Sequence, residues 1–88
     1  MEINFKKLAQ LVNESNAVAF KDLVSYSESV NLSSDRTYYL LFVKDRYGSN
    51  FELTCVIENL LYSVRNNADK ELQLFKLDGD NIKEISLQ

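Results

Sequence analysis

Histidine is absent from this chain, and its one cysteine is Cys55. Histidine is the side chain whose ordinary pKa lies near neutrality, and it is the commonest metal ligand. Its absence removes Ser–His and Cys–His nucleophile pairs together with the usual zinc sets. Carboxylate, lysine and tyrosine chemistry stays open, but no spacing singles out a pair for acid–base work. Cys55 alternates with Phe51, Leu53 and Ile57, which predicts a small buried hydrophobe rather than a nucleophile. Asp78, Asp80, Asn81 and Glu84 gather oxygen-bearing side chains around Gly79. A helix–loop–helix calcium site needs a twelve-residue loop with glycine at its sixth position. Strand-like patterns flank this cluster instead, so a hairpin turn is expected. Gly48 and Gly79 are too far apart for a phosphate-binding loop. The expectation is a chain with no catalytic residue, no metal and no cofactor.

What remains is the chemistry of recognition. Tyr47 sits between Arg46 and Gly48 in the polar cluster Asp45-Arg46-Tyr47-Gly48-Ser49-Asn50. Tyrosine and arginine are the types concentrated at interface hot spots. Asp45 with Glu52, and Asp78 with Asp80, are two local acidic pairs suited to a basic groove. Asp45, Arg46, Tyr47, Glu52, Asp78 and Asp80 are therefore the candidate partner-binding residues. Whether Tyr47 points outward or folds back over its hairpin is open at this level.

Charge narrows the partner class. Thirteen acids oppose ten bases, for a net charge of −3, and the two signs are interleaved along the chain. Direct contact with nucleic acid or an anionic membrane needs clustered Lys and Arg, so neither is expected. Duplex mimicry would need roughly twelve clustered acids to cover about 20 Å, at one charge per roughly 1.7 Å. The interleaved acids do not supply that. Residues 8–18 have some of the spacing of a helix-turn-helix, but the turn has no glycine. The second segment carries Lys21 and Asp22, with no Arg or Gln to read base edges.

The elements that must position these residues follow from periodicity. Phe5, Leu8, Leu11 and Val12 recur at helical spacing from Asn4 to about Ser15, with Asn4 as N-cap. Val24, Tyr26, Val30 and Leu32 alternate with Ser25, Ser27, Ser29 and Asn31, as a half-buried strand would, with Glu28 interrupting the apolar face. Phe20, Leu23, Val24 and Ser27 also fit a short helix, so residues 16–26 are ambiguous, and serine density favours the strand. Thr37 to Val43 is β-branched and aromatic with both faces apolar, which predicts a central strand. Phe51, Leu53, Cys55 and Ile57 alternate with Glu52 and Thr54 and form its antiparallel partner after the Gly48 turn. Ile57, Leu60, Leu61 and Val64 return to helical spacing, with Glu58 in the first turn, Arg65 in the last and Asn66-Asn67 as the stop. Glu71 to Leu87 reads as a hairpin about Gly79. The predicted fold class is α+β: a small antiparallel sheet in α-β-β-β-α-β-β order with two helices packed on one face.

One domain spans residues 1–88, since surface scaling leaves roughly 5,300 Å² exposed and no room for a second core. No signal-peptide pattern opens the sequence, and one cysteine suits a reducing compartment, so a cytoplasmic location is expected. The longest apolar run, Tyr38 to Val43, is far short of a membrane span. The leading functional expectation is a non-enzymatic protein-binding module. Its preferred form is a small acidic inhibitor of the immunity or anti-defence type that occupies a basic surface, such as that of a nucleic-acid-binding protein. In size, charge and element order the chain resembles small acidic proteins encoded by phages and mobile elements, without a shared motif. The alternatives are a self-associating assembly subunit, forming a homodimer through the apolar strand or an open sheet edge, and a divergent DNA-binding regulator.

Overall fold

The computed structural model describes residues 3–33 and 35–87. Helix α1 spans Phe5–Leu11, a 3₁₀ turn spans Glu14–Asn16 and helix α2 spans Ala17–Ser29. Strands β1 (Thr37–Asp45) and β2 (Gly48–Thr54) follow, then helix α3 (Ile57–Asn66), and last β3 (Glu71–Asp78) and β4 (Asn81–Ile85). The four strands form one antiparallel sheet in the order β2-β1-β3-β4. The α+β class and the antiparallel sheet agree with the sequence reading. β1 is central, as its two apolar faces require: Leu40 to Val43 are all buried. Both glycine turns form where expected, with positive φ at Gly48 (133°) and Gly79 (64°), a region that a side chain would strain.

The first helix stops at Leu11, short of the run to about Ser15 that its spacing predicted, and two larger expectations change. The stretch containing Val24 and Tyr26 is not a strand; it is the second half of α2. Ala19 and Leu23 are fully buried, and Phe20 packs against the same cluster, so the 3-and-4 spacing wins over alternation. Serine does not prevent this, because its hydroxyls find partners inside the helix. Ser27 Oγ donates to the Val24 carbonyl at 2.7 Å, and Ser29 Oγ donates to that of Tyr26 at 2.8 Å. The element order is therefore α-α-β-β-α-β-β, with the 3₁₀ turn between the first two helices.

The second change concerns which faces are covered. Register places Leu40, Phe42, Phe51, Leu53, Phe75, Leu77 and Ile82 on one face of the sheet. There they meet Leu8 of α1 and Ala19 and Leu23 of α2, with Phe42 and Phe75 edge-to-face at 6.2 Å. The opposite face carries Leu41, Val43 and Leu74, which meet Leu60 and Val64 of α3. Helices thus lie on both faces rather than one. The cover is unequal: two helices lie over the first face, and a single ten-residue helix lies over the second.

A polar tie joins the helical layer to the sheet. Gln73, buried on β3, accepts from the Asn13 N–H at 2.9 Å and from Asn16 Nδ2 at 3.1 Å, and its Nε2 donates to the Leu11 carbonyl at 2.9 Å. These bonds occupy the backbone groups freed where α1 ends, which is how so short a helix is held in place. The predicted cap is present as well, with Asn4 Oδ1 accepting from the Lys7 N–H at 3.0 Å.

Candidate functional site

The six residues singled out from the sequence do not converge. Asp45, Arg46 and Tyr47 form the β1–β2 turn, where Asp45 Oδ1 accepts from the Tyr47 N–H at 2.8 Å. Arg46 stacks over the Tyr47 ring at 4.8 Å, and Tyr47 is 81% exposed. The open question at Tyr47 is thereby answered: its ring stands in solvent with a cation on its face. Asp78 and Asp80 lie on the β3–β4 turn, and Asp78 accepts from Thr37 Oγ1 at 3.3 Å. Thr37 begins β1 and Asp45 ends it. At about 3.3 Å per strand residue, the two turns stand roughly 26 Å apart at opposite ends of the sheet. Glu52 is separate from both, opposite Leu41 at the middle of edge strand β2 and on the α3 side. No single acidic patch unites them.

Cys55 also departs from expectation. β2 ends at Thr54, whose hydroxyl accepts from the Val56 N–H at 3.1 Å and turns the chain, so Cys55 is exposed. Arg36 Nη1 donates to its sulfur at 3.6 Å, and this contact raises the guanidinium pKa. Nearby, the Ser33 hydroxyl donates to the Asp35 carboxylate and lowers its pKa. Among the described residues, no group of three or more Cys, Asp or Glu side chains converges on one point. Among them, too, no helix is long and apolar enough to cross a membrane.

The surface that periodicity did not single out is the outward side of α3. At about 100° per residue, Leu60, Val64, Ile57 and Leu61 follow one another around the helix in one apolar stripe. The sheet covers only part of that stripe. Leu60 is buried and Val64 half-buried, whereas Ile57 is 46% and Leu61 51% exposed. Val56 just before the helix and Tyr62 beyond the stripe extend the apolar surface, at 43% and 69% exposure. Ile57 and Leu61 are neighbours on the stripe, and Tyr62 stands across Glu58 and Arg65 from Leu61, so one short helix exposes several large apolar side chains, whereas single exposed hydrophobes are ordinary. One signal in the sequence did point here. Val56, Ile57, Leu60, Leu61, Tyr62 and Val64 are more large side chains than one face of a ten-residue helix can bury.

Set against protein-family models, curated proteins and solved structures, the chain matches none. The functional reading therefore rests on its own surface.

Proposed function

We propose that this chain is a non-enzymatic protein-binding module that docks through the outward face of α3. The observation that carries the reading is the exposed apolar surface of Val56, Ile57, Leu61 and Tyr62 on a helix whose other side anchors it to the sheet. A helix with Tyr and Leu outward, flanked by charges, is a common form of protein-recognition surface. Its single acid, Glu58, and single base, Arg65, give it no net charge, unlike a surface built to seek a strongly basic partner.

The acidic-inhibitor form of the reading draws support from one observation, the exposed Arg46–Tyr47 pair beside Asp45. With Asp78 and Asp80 at the other end of the sheet, that contact would be confined to the β1–β2 turn. It is the second reading.

The test compares capture of partners from a lysate of the source cells by the tagged chain and by two variants, Leu61→Glu and Tyr47→Ala. Both positions are exposed, so each variant should keep its fold. A stoichiometric partner lost with Leu61→Glu and kept with Tyr47→Ala is the expected result. Loss with Tyr47→Ala alone moves the site to the turn, and a parent chain that retains no specific partner, further copies of itself included, overturns the reading.

A further inference from the structure

We infer that the outward face of α3 pairs with the same face of a second copy of this chain, antiparallel across a two-fold axis. This inference rests on the binding-module reading and names its partner. The argument is the distribution of charge about the centre of the helix. Leu61 and Tyr62 lie at mid-helix and are exposed; Glu58 precedes them and Arg65 follows them, and both of these are exposed too. At about 1.5 Å per residue, each charge stands roughly 5 Å along the axis from the point midway between Leu61 and Tyr62. A two-fold axis through that point runs the helices in opposite directions. It sets Glu58 of each copy level with Arg65 of the other, while Leu61 and Tyr62 close the centre.

The direction of pairing is selected by the same charges. A parallel arrangement would set Glu58 on Glu58 and Arg65 on Arg65, whereas the antiparallel one forms two ion pairs and also opposes the helix dipoles. The interface is isologous, so it closes at two copies and leaves no sticky end. Neither charge is taken up within its own chain: among the described residues the one ion pair is Lys44–Glu71. Opposite charges at the two ends of α3 suit its own dipole, but that does not account for the apolar side chains exposed between them.

The β4 edge is a poorer route to a dimer. Antiparallel pairing of two copies of an edge strand keeps each face on its own side, so the register centred on β4 sets Lys83 directly against Lys83. β1 cannot serve either, because both its edges are occupied by β2 and β3. A single short helix makes a small interface, so self-association belongs to the weak class.

Sedimentation equilibrium of the full chain, from about 1 µM to about 1 mM, tests the inference. The expected result is a reversible monomer–dimer equilibrium. Leu61→Glu should leave a monomer throughout. Glu58→Arg, which sets arginine against Arg65 twice, should weaken the dimer about tenfold or more. Combining Glu58→Arg with Arg65→Glu should restore it, which a role in folding alone would not do. Circular dichroism of each variant verifies that α3 remains folded. A wild-type chain that stays monomeric overturns the inference, as does a dimer indifferent to Leu61→Glu or a double variant that fails to recover. If the wild type is monomeric yet loses a captured lysate partner with Leu61→Glu, self-pairing falls and the binding-module reading stands. If it neither dimerises nor captures, both fall.

Discussion

Gln73 shows how one polar residue on an apolar strand decides the placement of a helical segment. Its carboxamide makes three hydrogen bonds to the stretch between α1 and α2 while remaining buried among hydrophobes. Replacing it by leucine would leave the Asn13 N–H, the Asn16 amide and the Leu11 carbonyl short of partners, at about 2–4 kcal/mol in total. Asn16→Ala should cost less, about 1 kcal/mol, because Asn16 Oδ1 is already a buried acceptor without a partner. Chemical denaturation of both variants checks the order, and a Gln73→Leu chain as stable as the parent would contradict the role given to the tie. The same scale accounts for Cys55. Alternation through Ile57 predicted burial, but the strand stops at Thr54, and the last positions of an alternating pattern depend on where the strand ends. A strand's terminal residue is the part of a sequence pattern most easily misplaced.

At the scale of elements, the helices differ in how firmly they are held. α2 contributes the fully buried Ala19 and Leu23 to the larger core, and its Tyr26 ring leans on Phe51 at 5.9 Å. α3 contributes Leu60, buried, and Val64, half-buried, and much of its apolar stripe lies outside the sheet. Leu23→Ala should therefore cost about 2–5 kcal/mol, as a fully buried leucine does. Leu61→Ala, at a half-exposed position, should change stability by less than about 0.5 kcal/mol. Amide hydrogen exchange should follow the same order, with α3 opening at lower free energy than α2. Equal protection of the two helices in a monomeric sample would contradict this packing account. The helical reading of α2 was partly present in the sequence, in the spacing of Phe20, Leu23, Val24 and Ser27. The alternative strand pattern was interrupted only at Glu28, and local propensity could not separate them. Burial of one stripe against β1, β2 and β3 separated them.

At the scale of the molecule, the accessible surface is 6083 Å² against the roughly 5,300 Å² expected for its mass. The uncovered part of the α3 side also carries Lys76 and Lys83, directly opposite each other on β3 and β4. Like charges in that position repel, so Lys83→Glu should stabilise the fold by about 0.2–1 kcal/mol. The gain should shrink as salt is raised. Thermal unfolding at two ionic strengths checks it, and an unchanged or lowered midpoint at low salt would contradict the repulsion.

Composition and local pattern were enough for the α+β class, the antiparallel sheet, the central place of β1, both glycine turns, the Asn4 cap and the limits of α3. Each of these depends on residues near one another in the chain: alternation for strands, positive φ at Gly48 and Gly79, and charges and asparagines at a helix end. Three matters were settled only by tertiary contacts. The helical state of residues 17–29 came from packing on the sheet. The separation of Asp45 from Asp78 came from strand register, which sends two turns to opposite ends. The exposed side of α3 came from the width of the sheet relative to one ten-residue helix. An apolar stripe in a sequence says which side of a helix prefers to leave water. How much of that stripe the rest of the chain can cover is a property of the assembled fold.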